Sequence, residues 1–290
     1  MSNQFAGGGS FGEQRNHSPI VAPPFHIRGS TTGSTRNTSW CLASGGVTGP
    51  AQRRSSTAVR PSSFFDPGLL PFLCSLPRSR AWAWDCGTGN GEVALALTGH
   101  LAAVRATDVN PVLIGRAVRH ERIFYSVEEA CRSSIPDRTV DLVVVAQALH
   151  WMNLDSFYAE VQRVLNVGGV VAAWCYGRCS VSPEVDRWIK RLYQAAAPHW
   201  PRAFEAVAAK YRDLPFPFAE VPAPQFWISA WWSCGDLLDY LGNWTATRRL
   251  TELDRRIPTR LFARTAQAWG ESERRLVRWP IHLRVGRSAP

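Results

Sequence analysis

From about Arg60 the chain settles into apolar runs separated by polar punctuation, and two periods alternate along it. Leu69–Leu73 predicts a short helix ahead of the first strand. Ala81–Trp84 is an apolar run closed by Asp85, and Leu101–Thr107 is a second, closed by Asp108. Arg122–Val127 alternates as a short strand does. Val140–Ala146 (VDLVVVA) is nearly unbroken and β-branched, the pattern of a central parallel strand covered on both faces. Val170–Tyr176 is a further apolar strand after the turn Asn166-Val167-Gly168-Gly169. Between these runs, Gly91–Thr98 and Pro111–His120 predict helices, and Asp155–Leu165 places residues 157, 158, 161, 164 and 165 on one helical face. Strands alternating with helices predict an α/β fold with a parallel sheet, helices on both faces and ligands beyond the strand C-termini. Asp85, Asp108, Glu129 and His150 all map to that edge.

The alternation breaks after Tyr176. Pro183–Ala197 predicts a helix with Val185, Trp188, Ile189 and Leu192 on one face, Leu214–Pro224 is proline-rich, and Gln225–Trp232 (QFWISAWW) alternates loosely like a strand. Residues 177–247 are expected to be an insertion that roofs an acceptor pocket. Trp200, Trp227, Trp231, Trp232 and Trp244 are available to line it, most of them serving as packing instead. Leu276–Val285 is expected to be the last strand. Residues 1–50 have glycine-, serine- and threonine-rich stretches and little apolar periodicity, so they are expected to form a disordered or targeting tail ahead of a domain spanning 51–287.

Composition narrows the picture. Hydrophobic residues make up 45% of 290, enough for a sizeable core, and no apolar run is long enough to span a membrane. The seven cysteines contain no C-x-x-C pair, which speaks for a reducing compartment and against a disulfide framework or a zinc site. The net charge of +10 is uneven. Residues 1–60 hold six Arg against one Glu, and residues 248–290 hold eleven Arg against four acids. The remaining +10 − 5 − 7 = −2 falls on residues 61–247, which contain the glycine-rich loop, so nucleic acid is not the expected partner. The expected location is cytoplasmic. The Arg-bearing, acid-poor tail leaves organelle import as the alternative.

The chemistry centres on Asp85-Cys86-Gly87-Thr88-Gly89-Asn90-Gly91-Glu92, a glycine loop between a strand and a helix. Glycine tolerates positive φ and lets a ligand approach the backbone. A dinucleotide motif would carry a third glycine where Glu92 stands, and a carboxylate there repels pyrophosphate. Asp85, just before the loop, suits a cationic ligand. S-adenosylmethionine, with an ammonium, a sulfonium and no phosphate, fits both features. Asp108 lies 23 residues beyond Asp85 at the next strand end, where an acid accepts from ribose hydroxyls or caps the following helix.

DCGTGNG, the ATD ending at Asp108, VDLVVVAQALHW, FYAEVQRVLNVGG and VVAAWCY together resemble a class I S-adenosylmethionine-dependent methyltransferase, more narrowly the trans-aconitate methyltransferase-like family. Phe216-Pro217-Phe218, LGNWTA and VRWPIHLRVGR are similar to that family too, and the resemblance spans roughly residues 53–287. It implies a Rossmann-like fold with a seven-stranded, mostly parallel sheet and one antiparallel strand near the C-terminus. It implies that Asp85, Gly87 and Gly89 surround the methionyl part of the cofactor. Asp108 would hold the ribose, Val109 would lie against adenine, and Glu129 and the Ala130 N–H would meet the adenine edge. Gln147 would sit under the methionyl group, and His150 and Trp151 would face the transfer site. Two positions depart from the family pattern: Cys131 replaces a frequent Glu, and Arg60-Pro61-Ser62-Ser63-Phe64 replaces a tyrosine-rich Arg-Pro motif. A non-catalytic binding protein of the same fold is therefore the alternative to an enzyme.

A methyl sulfonium is already activated, so the enzyme has to align donor and acceptor and exclude water. The acceptor is expected to be a small molecule, in the first instance a carboxylate or other organic acid. A carboxylate needs no base but needs a cation, for which Arg178, Arg187, Arg191 and Arg202 are candidates, with Arg202 foremost. For a hydroxyl or amine acceptor, His150 is the candidate catalytic base. No metal is expected. Oligomeric state is not legible.

Overall fold

The computed structural model describes residues 66–288. The expected tail at 1–50, the start of the domain at 51 and the Arg60–Phe64 departure lie outside the described residues. Five parallel strands form the body of the sheet: β1 (Trp82–Cys86), β2 (Ala103–Asp108), β3 (Ile123–Val127), β4 (Val140–Ala146) and β5 (Leu165–Tyr176), in the order β3-β2-β1-β4-β5. Three more strands follow: β6 (Ala219–Glu220), β7 (Phe226–Trp232) and β8 (Arg275–Arg287). β8 runs antiparallel to β5. β6 and β7 lie in tandem along the other edge of β8, so eight strands fill seven positions. The shift from Glu220↔Gly286 to Phe226↔Ile281 is one residue, a bulge at Pro222–Pro224, where proline has no N–H to give to the ladder. The expected sheet of seven strands with one antiparallel member is the one observed.

Period two sets the layers. Ala83, Leu142, Val144, Val170, Ala172 and Trp174 face one core with α1 (Leu69–Ser75), α2 (Glu92–Leu97) and the later helices α5 (Pro183–Ala196), α7 (Cys234–Gly242) and α9 (Arg256–Trp269). Trp84, Val143, Val145, Val171, Ala173 and Cys175 face the other core with α4 (Leu154–Val164) and the segment carrying α6 (Phe204–Ala208). Helix α3 (Pro111–Arg116) is shorter than its sequence predicts. Asn110 caps its start by accepting from the Val112 N–H at 2.9 Å, but the chain is extended at Ala117. There the Val118 carbonyl accepts from the Tyr125 hydroxyl at 2.9 Å.

The C-terminal third holds what the periodicity did not reveal. α7, α8 (Thr245–Leu253) and α9 lie between β7 and β8; α8 and α9 pack with α5, and α7 packs on both of them and on β7. α7 is announced by a capping box, in which Ser233 and Asp236 satisfy each other's backbone N–H groups. Among the described residues no helix is long and apolar enough to cross a membrane.

Asp141, 3% exposed, fixes the lower end of the sheet. Its Oδ2 accepts from the backbone N–H groups of Ala81 (2.9 Å) and Trp82 (3.0 Å), and its Oδ1 from Asn166 Nδ2 (2.8 Å). One carboxylate thus ties the starts of β1, β4 and β5 together. Asp141→Ala strands three donors and is expected to cost about 2–4 kcal/mol, read from the urea midpoint at unchanged m-value.

Candidate functional site

Because β1 to β4 are parallel, their C-terminal ends lie on one edge, and the strand order reverses direction between β1 and β4. A crevice opens at such a switch point. Asp85 and the glycine loop stand on its β1 side, Gln147 and His150 on its β4 side.

The loop is held by hydrogen bonds and by close packing. Gly87 and Thr88 both donate their N–H to the Thr107 carbonyl (2.8 and 2.9 Å). Asp108 Oδ2 accepts from Gly89 N–H (2.9 Å) and Oδ1 from Asn110 N–H (2.8 Å), so this acid organises the loop ends of β1 and β2. Asn110, not Asp108, makes the side-chain cap of α3. Gly87 has φ +73°, and a Cβ there would lie 2.6 Å from Ala148 Cβ, so the turns after β1 and β4 meet only because this residue has no side chain. Gly89 also has positive φ, but a Cβ there would meet nothing within 4 Å: the space in front of it is open.

Asp85 is 1% exposed. Thr88 donates its hydroxyl to Oδ2 at 2.6 Å, while Oδ1 is buried without a hydrogen-bond partner. Burial pushes its pKa up to about 7, with the nearby Asp108 charge adding to the rise, against the Thr88 hydroxyl and the Ala94 backbone N–H, which pull it down. Gln147 sits at φ +53°, a left-handed conformation unusual for its type. Its N–H donates to the Trp174 carbonyl and its Nε2 to the Tyr176 carbonyl, which leaves Oε1 buried without a partner. A buried polar atom without a partner costs stability until a ligand meets it. Asp85 and Gln147 each carry one, on the two sides of the crevice. Oδ1 of Asp85 and Oε1 of Gln147 are acceptors, matched to a ligand that brings donors and positive charge, and the open space before Gly89 admits a backbone-hugging group.

The remaining predicted residues are distributed as follows. Val109 follows Asp108 and is half exposed, and Glu129 is exposed beyond β3, with Ala130 partly buried beside it. Cys131 Sγ lies 3.6 Å from Glu129 Oε2. His150 and Trp151 form a 3-10 turn after β4 and stack at 5.1 Å between ring centroids. His150 Nδ1 is 2.7 Å from the Tyr211 hydroxyl, and its Nε2 is buried without a partner. Burial holds its imidazole down at about 4, so it is neutral at pH 7. Arg202 is exposed, two residues from Phe204, whose ring meets His150 at 5.3 Å and Trp151 at 5.8 Å.

Phe204, Tyr211 and Thr88 belong to the site but escaped sequence reasoning. Thr88 had a signal, its place inside the loop. Tyr211 is 61 positions from His150 and had none. From Phe204 an aromatic series continues through Trp200 (4.9 Å) to Tyr193 (5.6 Å) and Trp244 (5.7 Å). Of the five tryptophans considered for the pocket, Trp232 and Trp244 are buried, Trp227 and Trp231 are exposed on β7, and Trp200 is partly buried.

Comparison with known proteins agrees with this geometry. Residues 84–173, from β1 to β5, match a family model described as a methyltransferase domain. A solved structure of a candidate type II methyltransferase from Anaeromyxobacter dehalogenans is 38% identical, with a TM-score of 0.74, covering 80% of this chain and 100% of that one. A candidate methyltransferase of Dictyostelium discoideum is 26% identical over 170 residues, 57% of this chain and 65% of the relative. CRG1 of Saccharomyces cerevisiae, a candidate S-adenosylmethionine-dependent methyltransferase, is 28% identical over 108 residues, 34% of this chain and 36% of the relative. The chain thus spans less than two thirds of the length of these curated relatives. With full coverage of the 38% identical structure, an acid-flanked glycine loop at the switch point and unpaired acceptors on both its sides, the chain belongs to the class I S-adenosylmethionine-dependent methyltransferases.

Proposed function

We propose that this protein methylates a small molecule, in the first instance the carboxylate of an organic acid, with S-adenosylmethionine as donor. The observation that carries the reading is the pair of buried acceptors without hydrogen-bond partners, Asp85 Oδ1 and Gln147 Oε1, on the two sides of the strand-order switch point, beside a glycine loop that leaves open space at Gly89. Asp85, Gly87, Gly89 and Gln147 would hold the methionyl end, Asp108 the ribose, and Val109, Glu129 and Ala130 the adenine. When bound, the cofactor supplies an electrophilic methyl group that needs an aligned nucleophile and little else.

The acceptor pocket would be built from His150, Trp151, Phe204 and Trp200, under the roof contributed by residues 177–247. A neutral His150 with a pKa near 4 is a poor general base, because proton abstraction at pH 7 favours groups whose pKa lies near 7. Its use is as a positioning hydrogen-bond partner. The Tyr211 hydroxyl, pushed well above its ordinary pKa by burial, keeps its proton and has the His150 Nδ1 within 2.7 Å. If Tyr211 donates there, the His150 tautomer carries its proton on Nε2, the unpaired atom, which can then donate to an acceptor oxygen. Such an arrangement suits an acceptor that is already ionised. Arg178 enters as its cation ahead of Arg202. It follows β5 at the same sheet edge, and its guanidinium lies 5.9 Å from the Tyr193 ring, within the aromatic series. Arg187 and Arg191 stack instead on Trp188.

Calorimetric titration of S-adenosylhomocysteine is expected to show micromolar binding that Asp108→Ala weakens by tenfold or more, and a screen of di- and tricarboxylates is then expected to show turnover. Binding without turnover of any acceptor would favour the non-catalytic alternative, and no binding by folded protein would sink the cofactor reading. Asp85 supplies a second expectation. Its folded pKa of about 7 lies above its unfolded value near 3.8, so the burial cost of its charge is felt fully above pH 7 and fades as pH falls through that window. Asp85→Asn is therefore expected to raise the melting temperature at pH 8 and to change little at pH 4 to 5. In the parent, affinity for the cationic ligand is expected to rise about tenfold from pH 6 to pH 8, as Asp85 ionises.

A further inference from the structure

Away from the strand-end crevice, an open groove of about 570 Å³ lies where the outermost strand is interrupted. That volume is in the range of small-molecule sites. It is lined by Glu220–Gln225, by Ile281–Val285 of β8, and by Lys210 and Arg212. The gap has a covalent cause: Pro222 and Pro224 have no N–H for β8. Pairing stops at Val221, whose N–H donates to the Val285 carbonyl, and resumes only where Gln225 Nε2 donates to the Ile281 carbonyl at 3.1 Å.

The charges lining this groove do not balance. Lys210, Arg212 and Arg284 face a single acid, Glu220, which pairs with Arg284. Two positive charges are left over. Among the described residues neither Lys210 nor Arg212 has an ion-pair partner, and Arg212 Nε donates only to the Ala209 carbonyl. Both are held in place by the residue between them. Lys210 and Tyr211 occupy consecutive left-handed positions (φ +61° and +60°), a strained arrangement for side-chain-bearing residues. Tyr211 is fully buried with its hydroxyl on His150, and its carbonyl accepts from Arg284 Nη1 at 3.1 Å. The middle residue is fixed inward, and its two neighbours line the groove. His282 lies there as well; burial and the nearby Lys210 and Arg212 hold its imidazole below the ordinary value, so it enters as a neutral hydrogen-bond partner.

We propose that this groove is a second binding site, separate from the methyl-transfer crevice, for a small multivalent anion of the phosphate or polycarboxylate class held by Lys210, Arg212 and His282. The site stands independently of the cofactor reading. The full chain is titrated calorimetrically with pyrophosphate and, separately, with citrate, with and without S-adenosylhomocysteine. The parent is compared with Lys210→Asn/Arg212→Gln, in which asparagine tolerates the left-handed backbone, and with Arg212→Gln alone. At least one anion is expected to bind the parent at low salt, about tenfold more tightly than the double variant, with an intermediate loss in the single variant, and to weaken as salt rises. A preference for pyrophosphate would identify a phosphoryl ligand, and one for citrate a carboxylate. Equal melting temperatures of parent and variants check the fold; if the double variant melts early, the single variant decides. No binding to the parent would overturn the proposal, as would equal binding to the variants, which would put the anion in the acceptor pocket or on scattered arginines.

Discussion

The site depends on one close approach, that of the backbone turn after β1 to the turn after β4. Gly87 permits it, since a Cβ at that position would overlap Ala148. The approach is then locked from the β2 side. The Thr107 carbonyl takes two loop N–H groups, and Asp108 takes a third with one carboxylate oxygen while holding Asn110 with the other. Three strand ends become one rigid rim with few atoms spent. Sites that position a ligand to within a fraction of an ångström need such support, because misplacement erodes the advantage of alignment.

That rim is assembled at a cost to the free protein. Asp85 is a buried carboxylate whose own hydroxyl partner does not offset its desolvation, and Gln147 is held left-handed with its amide oxygen unanswered. Both penalties fall at the strand-end edge; buried polar atoms without hydrogen-bond partners also occur away from it, at Tyr158, Trp232 and Thr247, but none of those is a carboxylate. A ligand carrying donors and positive charge relieves both at once. Asp141, at the opposite end of the same strands, has both oxygens bonded and its charge used for structure. The two aspartates share burial and differ in satisfaction, which separates a structural acid from a ligand-facing one.

The parallel half of the fold was legible because its strands are short apolar or alternating runs, most of them ending at a polar residue on the same edge, and the β-branched run VDLVVVA fits a central parallel strand. The loop was legible because glycines at 87, 89 and 91 with an acid before them are a local pattern; the positive φ at all three is what glycine spacing announces. The C-terminal half was less so. α8 and α9 carry arginines through their sequences, and their apolar positions are sparse enough to be missed. The bulge joining β6 to β7 was readable only as a proline cluster. Tyr211 was invisible because nothing local marks it: Lys210 and Tyr211 take left-handed conformations without a glycine, imposed by tertiary contacts with His150 and Arg284.

The same contacts bear on the chemistry of the acceptor. Sequence alone offered His150 as a base and four arginines as carboxylate anchors, with Arg202 foremost. Burial removes most of the basicity of His150, and the Tyr211 hydroxyl occupies one of its nitrogens. If the acceptor binds at His150 as proposed, such a site would have little means of activating a neutral hydroxyl or amine, but could present a hydrogen-bond donor to an oxygen that is already charged. The arginines sort themselves by geometry. Two stack on Trp188, joined there by Arg264. Arg202 is exposed. Arg178 alone of the four follows a strand of the sheet at its C-terminal end and touches the aromatic series that leads from Trp244 through Trp200 and Phe204 to His150. A neutral donor at one end of an aromatic wall and a guanidinium at the other would suit a flat or extended organic anion, the acceptor class proposed above, on grounds of geometry that charge counting along the chain did not offer.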